Sequence, residues 1–126
     1  MKTILIIGAG LSASSLIRYL LQNSVEQNWI VSVCDQDIKL VETKLNGHPN
    51  GRALQFNALD ATERRPFLES ADLIISMLPA RFHIDIAKDC IELGKNLITP
   101  SYVSKQMKEL DQAAKEAGII IMNEIG

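Results

Sequence analysis

Residues 4–13 read Ile-Leu-Ile-Ile-Gly-Ala-Gly-Leu-Ser-Ala, an apolar run that collapses into Gly8-Ala9-Gly10 where a helical pattern starts. Two glycines and a small residue at the spacing G-x-G-x-x-A are the types needed to bring a backbone against a diphosphate. Gly8 permits the tight turn out of a strand. Gly10 lacks the Cβ that would hold the phosphates off, and Ala13 lets the helix lie close to the strand. Gly8, Gly10, Leu11, Ser12 and Ala13 are therefore the expected contacts of a dinucleotide's phosphates, aided by the N–H groups of the helix's first turn. A second apolar run, Trp29-Ile30-Val31-Ser32-Val33-Cys34, ends at Asp35, which stands 22 residues after Ala13. A carboxylate there accepts from the adenosine ribose hydroxyls and repels a 2′-phosphate. The reading is NAD, with NADP the less favoured cofactor and Gln36 in the same contact. The alternative is a glycine turn that only packs a strand on a helix, with Asp35 a solvated strand end.

Other strand ends supply the remaining candidates, because the crevice of an open parallel sheet lies beyond the carboxyl ends of its strands. After the third strand come Leu59-Asp60-Ala61. Asp60 could accept from the adenine amino group with Leu59 and Ala61 against the ring, or it could cap the next helix ahead of Thr62 and Glu63; both readings stay open. Met77-Leu78-Pro79 follow the fourth strand and should pass over the nicotinamide ribose. Ser101 and Tyr102, after the fifth, offer hydroxyls for a substrate carboxylate or the nicotinamide carboxamide. Glu124, after the sixth, could orient the nicotinamide or support a substrate amine. His83 reads as a surface residue at a helix start. No group is a convincing general acid or base, so the catalytic residues are unassigned. Cys34 and Cys90 have no metal or redox spacing, and no metal is expected.

The elements that must position these residues alternate along the chain. Strands are predicted over residues 2–7, 29–34, 53–57, 72–77, 96–99 and 119–123, and helices over 11–23, 37–45, 64–69, 81–93 and 104–117. Gly94 and Gly118 fall where helix C-caps belong. Strands joined by helices imply a parallel sheet, here a doubly wound six-stranded Rossmann α/β domain of strand order 3-2-1-4-5-6. The 126 residues suit one domain, 1–126, and the sixth strand falls so near the end that the chain reads as the first domain of a larger enzyme. A net charge of −2 gives no reason to expect nucleic acid, and no apolar run spans a bilayer. A reduced, cytoplasmic protein is the expectation.

The second half carries a resemblance. Ser76-Met77-Leu78-Pro79, His83, Thr99-Pro100-Ser101-Tyr102-Val103-Ser104, Leu110-Asp111-Gln112-Ala113-Ala114-Lys115-Glu116-Ala117-Gly118 and Met122-Asn123-Glu124-Ile125-Gly126 resemble the saccharopine dehydrogenase/reductase family. The resemblance runs across essentially the whole chain. It implies a nicotinamide-dependent oxidoreductase that interconverts an amino acid plus an oxo acid with a secondary amine, and an amino-acid substrate held by a domain after residue 126. A homodimer of the parent enzyme is left open. Family members that use NADP carry a basic residue after the second strand. Here those positions read Cys34-Asp35-Gln36, so NAD is kept as the expected cofactor. Two other readings remain: a non-catalytic regulatory Rossmann module that senses NAD(H), and a homoserine- or carboxynorspermidine-type dehydrogenase.

Overall fold

The strand β1 (Lys2–Ile7) lies in the middle of the sheet because its side chains are apolar on both faces. The computed structural model describes residues 1–99 and 105–122. β1 pairs in parallel with β2 (Trp29–Cys34) on one side and with β4 (Leu73–Ser76) on the other. β3 (Gly51–Leu54) extends the first side, and β5 (Asn96–Ile98) and β6 (Ile121–Met122) extend the second. The order β3-β2-β1-β4-β5-β6 is the one expected. It reverses direction between β1 and β4, which is where such sheets open a crevice.

Alternation along the strands divides the core in two. Ile4, Ile6, Val31, Val33 and Ile75 pack with Ile17, Leu20 and Leu21 of α1 (Ser14–Gln27) and with Val41 and Leu45 of α2 (Ile38–Leu45). Leu5, Ile7, Cys34, Ile74 and Leu97 belong to a second cluster. It holds Leu68 of α3 (Ala61–Ser70), Ile86, Ala87 and Cys90 of α4 (His83–Leu93), Met107 of α5 (Lys105–Glu109) and Ala114 of α6 (Asp111–Ala117). Helix ends follow local chemistry. α1 and α2 stop at Asn28 and Asn46, with φ of 63° and 49°, and α4 and α6 stop at Gly94 and Gly118, with φ of 70° and 73°.

Element boundaries moved where tertiary contacts overrode local pattern. β3 ends at Leu54 rather than 57, because Phe56 leaves the sheet edge to stack on Phe67 of α3 at 4.3 Å between centroids. α3 starts earlier than predicted because Asp60 caps it, its Oδ1 accepting from Thr62 N at 2.8 Å. The predicted helix over 104–117 is two helices joined at Leu110. The strand predicted over 119–123 is described only as Ile121–Met122.

Two buried polar features were not foreseen. Arg64 is 6% exposed, and its Nε lies 2.5 Å from Asp89 Oδ2, while Arg65 Nη1 reaches Asp89 Oδ1 at 2.8 Å and Glu92 at 2.9 Å. Arg64 Nη1 also donates to the Ala58 carbonyl at 3.3 Å, so α3, α4 and the loop after β3 are fastened together. His83, expected on the surface, is 1% exposed, and neither ring nitrogen has a hydrogen-bond partner among the described residues. It opens α4 from beneath a 3-10 turn (Ala80–Phe82) and turns inward. Burial pushes its pKa below the ordinary 6.5.

Both features have measurable consequences. Asp89→Ala strands the Arg64 charge in the core, and a loss of about 3–5 kcal/mol in denaturant unfolding is expected; a loss below about 1 kcal/mol, the range of exposed pairs, would show that Arg64 escapes to water. For His83 the unfolded chain takes up a proton below pH 6.5 that the folded ring resists, so the unfolded state gains stability as pH falls. His83→Leu is therefore expected to gain in melting temperature over the unmutated chain as pH drops through 6.5. A difference independent of pH would mean the ring ionises equally in both states.

Candidate functional site

The loop between β1 and α1 is built around two glycines with different tasks. Gly8 has φ of +103°, a conformation that side chains rarely adopt, and a Cβ added there would lie 3.3 Å from the Met77 carbonyl carbon. Its N–H donates to the Cys34 carbonyl at 2.7 Å, while Met77 N donates to the Ile7 carbonyl at 2.8 Å. The loop is thus clamped between the ends of β2 and β4. Gly10 is extended and exposed, and a Cβ there would meet nothing within 4 Å. That open space is what a diphosphate needs to reach the backbone. Ala9 and Ala13 are fully buried beneath it, Ala13 N donates to the Gly10 carbonyl at 3.0 Å, and a 3-10 turn (Leu11–Ala13) leads into α1. Leu11 is 91% exposed and Ser12 is exposed, so both stand on the rim.

Asp35 sits at the predicted place, at the end of β2, and its carboxylate faces the loop. Oδ2 accepts from Ala9 N at 2.8 Å and Oδ1 from Asp37 N at 2.9 Å. A residue that the sequence pattern did not single out meets the loop from its other side. Lys44, in the last turn of α2, donates from Nζ to the Gly10 carbonyl at 2.8 Å and to Ser14 Oγ at 2.7 Å. No local spacing links Lys44 to Gly10; the pair lies 34 positions apart and meets only through packing of α2 on α1.

Beyond the carboxyl ends of β1, β2 and β4 lies a cavity of about 250 Å³, lined by Ile7, Gly8, Cys34, Asp35, Gln36, Phe56, Ala58, Leu59, Leu78 and Phe82. Apolar walls with a polar edge suit a flat heteroaromatic ring. Of the predicted residues, Gly8, Asp35, Gln36, Leu59 and Leu78 are gathered here. Phe56, Ala58 and Phe82 were missed. Phe56 falls inside the strand expected over 53–57, and Phe82 joins through the 3-10 turn after β4, where Arg81 lies 4.5 Å above its ring. Asp60 is the N-cap of α3, and Ala61 is the first residue of that helix; neither lines the cavity. Met77 supports Gly8 from below, and Pro79 is exposed. Gln36 is exposed, with its carbonyl accepting from Gln55 Nε2 at 3.0 Å. Ser101, Tyr102 and Glu124 lie outside the described residues. Ser76 Oγ, at the end of β4, is buried without a partner among the described residues.

The two thiols are chemically quiet. Cys34 Sγ donates to the Phe56 carbonyl at 3.4 Å, and burial pushes its pKa up to about 11; burial pushes Cys90 up to about 12. No group of three or more metal-ligating side chains occurs among the described residues, and no helix among them is long and apolar enough to cross a membrane.

Comparison with known proteins agrees on one family. A profile described as the saccharopine dehydrogenase NADP binding domain matches residues 4–122. The chain is 36% identical over 126 residues to the NADP(+)-dependent, L-glutamate-forming saccharopine dehydrogenase of Schizosaccharomyces pombe, a match that covers 100% of this chain and 27% of that protein. It is 30% identical over 125 residues to the mitochondrial alpha-aminoadipic semialdehyde synthase of Mus musculus, covering 99% of this chain and 13% of that one. Among solved structures, apo saccharopine dehydrogenase (L-Glu forming) from Saccharomyces cerevisiae superposes with a TM-score of 0.89 at 28% identity, over 100% of this chain and 27% of that one. The chain thus spans about a quarter of the L-glutamate-forming relatives.

These relatives overturn the expectation of NAD as the primary cofactor, since the family description and the relatives' names specify NADP. The physical reason lies at Asp35. Repulsion of a 2′-phosphate was argued from a lone carboxylate, whereas here both oxygens already hold backbone N–H groups and a lysine ammonium stands on the adjacent Gly10. Fold, glycine loop and a match running from residue 4 to residue 122 coincide, and the chain belongs to the saccharopine dehydrogenase NADP binding domain family.

Proposed function

We propose that this chain binds NADP(H) for an oxidoreductase that transfers hydride at the secondary amine C–N bond of saccharopine or a related amino-acid conjugate. The observation that carries the reading is the loop Gly8–Ala13, with open space over Gly10 and its backbone fixed by Asp35 and Lys44. The cofactor supplies the hydride chemistry; the protein supplies position and field. Gly10 and the first turn leading into α1 would hold the diphosphate, and the cavity walled by Phe56, Leu59, Leu78 and Phe82 would receive the adenine. Ser101, Tyr102 and Glu124 are proposed to face a small amino-acid substrate, and the longer relatives support a substrate domain elsewhere in the parent enzyme.

Two variants test the loop. Gly10→Val puts branched carbons into the open space over the loop, and calorimetric titration with NADP⁺ is expected to show affinity weakened by about tenfold or more with an unchanged melting temperature. Unaltered affinity in the folded variant would remove the phosphate assignment. Asp35→Ala leaves the buried Ala9 N–H without its acceptor. It should cost about 1–3 kcal/mol of stability and weaken NADP⁺, because the loop loses its brace. A variant that is as stable as the unmutated chain would show that Asp35 is not a brace.

A further inference from the structure

The 2′-phosphate of NADP poses an electrostatic problem for this domain. It is a dianion near neutral pH, and it must sit beside the adenosine ribose, between the end of β2 and the glycine loop. The turn after β2 reads Asp35-Gln36-Asp37, two carboxylates and no cation. The compensating charge must come from another element.

The geometry points to the cleft between α1 and α2. Resting on the NADP reading, we propose that this cleft receives the 2′-phosphate, with Lys44 and Arg18 as its counter-charges. The cleft encloses about 420 Å³ and is lined by Ser14, Arg18, Gln22, Lys44, Asn46 and His48 over a floor of Leu21 and Leu45. No acidic side chain lines it, although the chain as a whole carries a net charge of −2. It opens at Ser14, in the first turn of α1, beside the carbonyl of Gly10.

What holds Lys44 sets it apart from the other cations. Arg64 and Arg65 are paired with Asp89 and Glu92, Lys115 with Asp111, and Arg52 donates to the carbonyls of Pro49 and Gly51. Among the described residues, neither Lys44 nor Arg18 forms a salt bridge. Lys44 is half-buried and fixed by two neutral oxygens, Gly10 O and Ser14 Oγ, which leaves its charge uncompensated and one of its three N–H donors to spare. A long side chain held in place before ligand arrives loses little further freedom on binding. Arg18 stands one turn after Ser14 on the same face of α1. Arg18 and Lys39 are both exposed, but Lys39, the cation nearest to the turn in sequence, does not line the cleft.

The test compares 2′,5′-ADP with 5′-AMP, which differ only in the 2′-phosphate, by calorimetric titration of the 126-residue chain, with NADP⁺ titrated alongside. Lys44→Gln is expected to weaken 2′,5′-ADP by about tenfold and 5′-AMP by less than about threefold, and Arg18→Gln to act in the same sense but more weakly. Lys44→Arg, which keeps the charge, should restore most of the preference, and added salt should erode it. Lys44→Gln weakening both ligands equally would make Lys44 a brace of the loop and nothing more, and leaving both unchanged would remove it from the site; either result overturns the assignment while the NADP reading stands. Failure of the unmutated chain to bind NADP⁺ would overturn the functional reading itself, and this assignment with it.

Discussion

The hydrogen bond from Ala9 N to the Asp35 carboxylate holds the glycine loop against the end of β2. Ala9 is fully buried, so its N–H has no water to turn to, and Asp35 is the acceptor that reaches it. Gly8 sets up this need. Its positive φ turns the chain out of β1 so sharply that the next N–H points across the sheet toward the end of β2. The same turn presses Gly8 against Met77, which fixes the loop over the end of β4. The carboxylate ties the loop after β1 to the end of β2, the Gly8–Met77 approach adds the end of β4, and the cavity opens directly beyond these three strand ends.

The two core layers position different parts of the candidate site. The layer formed with α1 and α2 carries the glycine loop and brings Lys44 onto it. The layer formed with α3 and α4 carries the cavity wall, because the buried Arg64 holds Asp89 on α4 and the Ala58 carbonyl at once. A buried ion pair is weak evidence for stability. Its effect here is geometric: it fixes the loop after β3, whose Ala58 and Leu59 line the cavity, relative to α4 and the Phe82 turn that precedes it.

This division explains what could be read in advance. β1 and β2 were legible to the residue, since both are mainly apolar runs with legible stops at Gly8 and Asp35. The sheet order followed from the alternation of elements. Asp60 was legible only as a choice between two roles, and its Oδ1 turned out to cap α3. The end of β3 was not legible, because Phe56 is drawn off the sheet by Phe67, a partner eleven positions away that no pattern within the strand announces. His83 failed for the same kind of reason. A histidine at a helix start looks solvated until the 3-10 turn of Ala80–Phe82 rolls it under the fold.

The cofactor was misread at a deeper level. The rule applied to Asp35 treats the residue at the end of the second strand as if its charge acted alone on the ribose. In a folded loop the potential at that point is a sum over whatever the packing brings near, and two contributions were missing. Backbone N–H dipoles at Ala9 and Asp37 offset part of the carboxylate's charge. The ammonium of Lys44 arrives on the neighbouring residue from the far end of a helix. A rule read from one side chain leaves both contributions out, so the potential beside the ribose does not follow from Asp35 alone. The groups gathered at Gly10 thus come from three elements, the end of β2, the start of α1 and the last turn of α2, and only the first two are close enough to the glycine motif in sequence to be read from its spacing.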